Sequence, residues 1–373
     1  MVATRRIEAF SLADYAARPC IPLQQFMLAC GVQKMTTASK FLHICLGSVL
    51  ALSAASVPVR AEENTFVLVT PSRIGVNKFL GLGKTGIEKA ATDQGAKAKV
   101  FEGTDPSTRR QHVQAAIDMK ASIVAVMGFE FGDIIADLAP ENPDTNFVIV
   151  DTCIPDAPKN VYCAVFREQE AAYLAGAEAA LTSTSKTVGV IGALDIPFLH
   201  RYTDSFALGA KTTRPDINVL PTSWIGGDNP FQDPVRAQTQ ATLQLSNGAD
   251  RIYAVAAGSN GGVFKAVADK SGAMAIGLDV NQCGDAPGAI LDSTLKKVDV
   301  ILPATIDGIL KGSAKPVVSF GLAEGGLELV ATTEAVASSG CKIADKPEVI
   351  GQLKDIQAKI VSGAITVPDP MAQ

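Results

Sequence analysis

Along the chain, short apolar runs rich in β-branched residues alternate with longer stretches whose apolar positions recur every three or four residues. Runs over 66–70, 98–103, 122–128, 146–151 and 161–166 predict strands, and each is nearly continuous, as expected for parallel strands covered on both faces. Segments 79–95, 106–120 and 130–140 predict helices between them. After "FREQEAAYLAGAEAAL" the rhythm resumes, with strands expected over 187–193, 218–226, 251–257 and 274–279 and helices over 198–213, 233–247 and 261–271. This alternation implies an α/β fold built on open, doubly wound parallel sheets. Two successive sheets without a long linker imply two lobes facing each other.

In such sheets a ligand lies beyond the carboxyl ends of the strands. The residues expected there are Gly128 and Phe129, Asp151, Asp195, Gly258 and Asp279. Each alone reads as a turn glycine or a helix-capping aspartate. Converging on one edge, they describe a polar-lined cleft. The stretch "NKFLGLGKTGIEKAA", residues 77–91, competes for attention with two nucleotide motifs. A P-loop needs glycine where Lys78 stands, and a dinucleotide fingerprint needs its first glycine at a strand end, whereas Gly81 follows Thr70 by eleven residues. Gly81, Gly83 and Gly86 therefore read as helix positions that allow close packing, with Leu80, Gly83, Ile87, Ala90 and Ala91 toward the core. Chemistry is expected at the helix entrance, around Asn77 and Phe79.

Composition changes the picture at the N-terminus. From Met35 a lysine, a long apolar run and the small-x-small junction Val59-Arg60-Ala61 read as a secretory signal peptide, with Met35 as the functional start and the mature chain beginning near Glu62. Cys45 sits too early for a lipid anchor, so a cleaved, soluble periplasmic protein is expected. Without residues 1–61 the chain keeps 27 basic and 36 acidic residues, a net charge of −9, which argues against a nucleic-acid partner. Four cysteines remain, an even number that suggests disulfides in an exported chain. Cys153 and Cys163 flank the short loop between neighbouring strands, where Cα atoms come within the roughly 4.4–6.8 Å that a bridge needs. Cys283 with Cys341 follows by elimination. His112 and His200 lack a metal-ligand pattern, and neither a metal nor a cofactor is expected.

The segments "GFEFGDIIADLAPENPDTNFVIVD", "NVYCAVFREQEAAYLAGAEAAL", "VGVIGALDIPFLHRYTDSFALGAK", "AAGSNGGVFKAV", "AIGLDVNQ" and "APGAILDSTLKKVDV" carry a family resemblance. In order and over most of residues 64–368, the chain resembles the basic-membrane-protein family of ABC-transporter substrate-binding proteins, whose best understood members are purine nucleoside receptors. The resemblance implies a periplasmic-binding-protein type I fold, two doubly wound parallel-sheet lobes joined by a hinge. It divides the chain into residues 62–166 with 293–318, and 167–292 with 319–373. It implies a monomer that closes on a small-molecule ligand and delivers it to a permease in the inner membrane. It puts Phe79 on a purine face, Asp279 on the ribose hydroxyls, Lys296 near the same polar end, and Asp151 and Gly258 in the cleft wall. A second aromatic comes from Trp224 or Phe231. For Lys296 a salt bridge at the hinge is an equal alternative. Where the family reads Asp-x-Ser-Phe-Asn, this chain has Val76-Asn77-Lys78-Phe79-Leu80, so either Asn77 supplies a substitute contact or another small polar ring is bound.

Other classes have less support. The sequence holds no Cys-His pair, no G-x-S-x-G elbow and no metal cluster, so an enzyme would rest on Asp151 or Asp279 alone, as in a nucleoside hydrolase. A transcription regulator would lack the export signal and carry a basic helix-turn-helix region. A periplasmic sensor that binds a different small polar ligand stays open.

Overall fold

The computed structural model describes residues 64–372; the expected signal peptide and its cleavage junction lie outside the described residues. The first sheet takes β1 (Thr65–Thr70), β2 (Lys97–Glu102), β3 (Ile123–Met127), β4 (Asn146–Asp151) and β5 (Val161–Phe166), with α1 (Lys78–Asp93), α2 (Pro106–Asp118) and α3 (Gly132–Leu138) between them. The chain then enters α4 (Glu168–Thr182) and a second unit of β6 (Thr187–Gly192), α5 (Pro197–Thr213), β7 (Asn218–Val219), β8 (Ser223–Trp224), α6 (Pro234–Ser246), β9 (Arg251–Val255), α7 (Asn260–Ala268), β10 (Met274–Gly277) and β11 (Ile290–Lys296). It returns to the first lobe for α8 (Val298–Leu310) and β12 (Val317–Phe320), and ends in the second with β13 (Leu327–Leu329) and α9 (Pro347–Val361).

The sheet orders are β12-β5-β4-β3-β1-β2 and β13-β11-β10-β9-β6-β7, with β8 beside β6. All pairings are parallel except β11 with β13. This α/β architecture is that of the type I periplasmic binding proteins. Helices cover both faces, so β3 and β9 are buried along their whole length.

The expected elements form with small shifts. The segment read as one strand over 218–226 splits into β7 and β8, with Pro221, which has no N–H to give a ladder, between them. Residues 293–296, expected in the first lobe, extend β11 in the second sheet, and Ser319 and Phe320, expected in the second, pair with β5 in the first. The lobes therefore exchange chain at Arg167, at Lys297 and just after Phe320. Arg167 holds that crossing together: it donates to Glu170 and Glu324 and to the Ser319 carbonyl.

Helix α1 behaves as its pattern requires. Leu80, Gly83, Gly86, Ile87, Ala90 and Ala91 are its buried positions. A Cβ on Gly83 would stand 1.9 Å from Met127 Sδ, and one on Gly86 3.2 Å from the Val298 carbonyl, whereas Gly81 faces open space. Two of the three glycines thus seat the helix on β3 and α8. Lys84 stays about half exposed, 3.9 Å from Glu88. In the second lobe α4 and α5 cross as closely, with Gly176 against the Phe206 carbonyl and Gly209 against that of Tyr173.

Candidate functional site

The carboxyl ends of the two sheets meet across one cleft. From the first lobe it is lined by Pro71 and Ser72 after β1, Asn77, Phe79 and Leu80 at the start of α1, Met127, Gly128, Phe129 and Glu130 after β3, and Asp151 ending β4. The second lobe contributes Phe198, Leu199 and Tyr202 from α5, Phe231 from the loop before α6, Val255 and Ala257 after β9, Leu278 and Asp279 after β10, and Lys296 ending β11. Three residues here, Asp151 (φ 82°), Ala257 (φ 48°) and Asp279 (φ 67°), hold left-handed backbone without being glycine. Such strain gathers where a fold aims side chains at a ligand.

Eight of the residues expected from the sequence, Asn77, Phe79, Gly128, Phe129, Asp151, Phe231, Asp279 and Lys296, come together in this lining. Gly258 sits at its edge, where a Cβ would meet the Phe231 carbonyl at 2.9 Å and Val76 at 3.1 Å; its bareness lets the lobes touch. Trp224 does not line the cleft. It lies over Gly192 and tilts against His200, ring centroids 5.6 Å apart, because β8 runs beside β6 and directs it there. Phe231, which tilts against Phe129 at 6.5 Å across the mouth, is the aromatic of the two that the cleft holds. Asp195 is exposed and bonded to His200.

Lys296 is the electrostatic centre. Its ammonium donates to Asp151 Oδ1 at 2.9 Å, Glu168 Oε1 at 3.1 Å and the Tyr202 hydroxyl at 2.7 Å. The rings of Phe166, Phe79, Tyr202 and Phe198 stand 5.0–5.7 Å away, close enough for cation–π attraction. Burial opposes the charge, but Asp151, Tyr202 and Glu168 outweigh it and hold the lysine pKa well above its ordinary value. An ammonium has three hydrogens, and all three are engaged, so what Lys296 offers the cleft in this state is charge. Its bridge to Asp151 joins the lobes. Behind it Glu168, its pKa raised by burial against the pull of Lys296, also receives Arg201, which is clamped by Asp369 near the C-terminus.

Asp279 is buried with no donor side chain on it, and burial, offset in part by Lys296 and reinforced by Asp151 and Glu168, pushes its pKa up to about 7. Asn77 caps α1, accepting the Leu80 N–H at 3.4 Å, so its carbonyl oxygen is in use. Sequence reasoning passed over Glu130, Phe198 and Tyr202. Glu130 follows the strand-end pair Gly128-Phe129 and was within reach of that argument; Phe198 and Tyr202 come from a helix face with no such marker. Further contacts close the mouth: Gln232 donates to Ser72 Oγ at 2.9 Å and the Arg73 carbonyl at 3.0 Å, and Lys78 pairs with Asp285 at 2.6 Å. Both expected disulfides are present, Cys153–Cys163 in the first lobe and Cys283–Cys341 in the second. Among the described residues no group of three or more His, Cys, Asp or Glu is placed to hold a metal ion.

Known proteins resemble this chain in sequence and in fold. The chain is 29% identical over 294 residues to the ABC transporter nucleoside-binding protein BmpA of Lactococcus lactis subsp. cremoris, a match covering 72% of this chain and 77% of that protein. It is also 29% identical over 259 residues to basic membrane protein D of Borreliella burgdorferi, covering 67% and 72%. A crystal structure of an ABC transporter solute-binding protein from Aeropyrum pernix K1 shares the fold, with a TM-score of 0.71 at 24% identity over 82% of this chain and 94% of that one. Residues 65–370 match the family model described as "ABC transporter substrate-binding protein PnrA-like". A two-lobed fold with its cleft between the sheet edges, and a family match over most of its length, make this chain a member of the Bmp family of ABC transporter substrate-binding proteins.

Proposed function

We propose that this chain captures a purine nucleoside between its lobes outside the cytoplasm and presents it, without turnover, to an ABC permease. The observation that carries the reading is the pairing of aromatic faces from both lobes, Phe79 and Phe231, with a buried carboxyl, Asp279, that lacks a donor. A flat heterocycle gains stacking from such rings, about 0.5–1.5 kcal/mol per aromatic pair beyond area burial. Ribose hydroxyls supply the donors that Asp279 needs. The nucleoside-binding relative in Lactococcus supports the same assignment. Nucleotides are disfavoured, since Glu130, Asp151 and Asp279 line the cleft and its cation Lys296 is engaged by Asp151 and Glu168. In this reading the leader is removed near Ala61, leaving a soluble periplasmic monomer.

Mass spectrometry of the small molecule that co-purifies, followed by thermal unfolding with nucleosides and free bases, tests the proposal. A nucleoside at a hundredfold excess over its Kd adds about 2.7 kcal/mol of stability. Stabilisation by sugars or amino acids but not by nucleosides would overturn it. Release of free base from a bound nucleoside would replace the receptor with a hydrolase.

A further inference from the structure

Most polar groups of the cleft are committed to one another. Lys296 is engaged by Asp151, Glu168 and Tyr202, Ser72 Oγ takes the Gln232 amide, and Asn77 Oδ1 caps α1. Two lining carboxyls remain to which no side chain among the described residues donates, Asp279 and Glu130. Their surroundings differ. Asp279 lies in the field of Lys296, Asp151 and Glu168, whereas Glu130 faces Arg109 and Asp151. Arg109 is itself held by the Pro71 carbonyl at 2.8 Å, so it balances charge from behind the cleft wall. Asp279 is thus the carboxyl that the second lobe leaves without a side-chain donor and Glu130 the one that the first lobe leaves so.

Gly128 builds the Glu130 position. Its backbone is left-handed at φ 96°, and a Cβ there would stand 2.4 Å from Glu130 Oε2. The bare glycine lets the carboxylate fold back over the end of β3. Burial raises the affinity of Glu130 for a proton, the behaviour of an acceptor short of donors. An acceptor from each lobe in an aromatic-lined cleft suits a ligand that carries hydrogens toward both lobes. With the ribose on Asp279, the far edge of the base meets Glu130. Guanine offers adjacent N1–H and N2–H groups, one for each carboxylate oxygen. Adenine sets a lone pair on N1 beside its N6–H, and that lone pair would face an oxygen.

We infer that Glu130 is the specificity-determining residue of the cleft and selects guanosine, with its paired N–H donors, over adenosine. The inference rests on the nucleoside reading above. Calorimetry with guanosine, inosine and adenosine on wild type, Glu130→Gln and Glu130→Ala tests it. Wild type binds guanosine at least about tenfold more tightly than adenosine, with inosine, which lacks the 2-amino group, between them. Glu130→Gln reverses the order, because a carboxamide pairs one acceptor and one donor with the N6 and N1 of adenine. Glu130→Ala weakens guanosine without improving adenosine. Equal binding of the three by wild type, or a uniform loss in Glu130→Gln, overturns Glu130 while the nucleoside reading stands. Binding of none of the three overturns both. Should Glu130→Gln fail to fold by thermal unfolding, the wild-type ranking decides alone.

Discussion

Phe79 and Lys84 lie five residues apart on one helix, yet one lines the cleft and the other points to solvent. Phe79→Ala should weaken nucleoside binding by about 1–3 kcal/mol, the scale of one lost base stack, and Lys84→Ala should leave it unchanged; calorimetry on the two variants checks both. Through the proposed contact with Asp279, binding should be sensitive to pH. Burial raises its pKa to about 7 in the folded chain against an ordinary 3.8, so over that range the folded state holds a proton that the unfolded chain releases. Stability from this group is therefore full below 3.8 and declines as pH rises toward 7. With ribose hydroxyls donating to the ionised form, as proposed above, affinity should climb by up to about tenfold per unit as pH approaches 7 and level off above it. Asp279→Asn should remove that climb in titrations run from acid to alkaline buffer. At this scale the strand-end aspartates were legible, because a polar residue closing an apolar run stands out. The partners of Lys296 were not, since Tyr202 and Glu168 reach it from helices far along the chain.

Helices and strands followed the apolar rhythm wherever that rhythm existed. Strand β11 had little of it. Asp292, Ser293, Thr294 and Lys296 are buried there and satisfied by their neighbours, so a central strand looks polar and its sheet could not be assigned from pattern. Glycine-bearing helices show the converse, since spacing marks a glycine but not what presses on it. Gly81→Ala should stabilise α1 by about 0.5–1 kcal/mol, as a glycine in a helix interior facing open space gains only from the change. Gly176→Ala should destabilise by about 1–3 kcal/mol or more, because its Cβ would lie 2.0 Å from the Phe206 carbonyl and separate α4 from α5. Chemical denaturation of both variants measures the contrast.

Taken whole, the molecule joins two self-contained lobes by three crossings and a few side-chain contacts over the mouth. Each disulfide staples one lobe internally, so reduction should lower thermal stability while leaving ligand-driven closure, followed by small-angle scattering, intact. The core of the second lobe carries a second pH dependence. Glu178 has no hydrogen-bond partner on either carboxyl oxygen, and burial with Asp292 nearby raises its pKa well above normal against the opposing pull of Arg251. Asp292 is pushed up to about 8 by burial. Both raised groups stabilise the fold in acid; Asp292 ceases to do so as pH rises through about 8, and Glu178, raised in the same direction, adds to the loss, so Tm should fall as pH rises from acid toward 8, and Glu178→Gln should flatten that fall. The two-lobe plan was legible because the βα rhythm restarts; the exchange of strands between lobes was not, because nothing local in a strand names its sheet. The displacement of Trp224 from the cleft has an optical consequence. It is the only tryptophan of the chain, and its indole rests against His200, whose pKa is raised first by the hydrogen bond to Asp195 and then by Asp204. An imidazolium ring quenches indole emission, so the intrinsic fluorescence of this protein should register the protonation of one surface histidine and change little when a ligand enters the cleft.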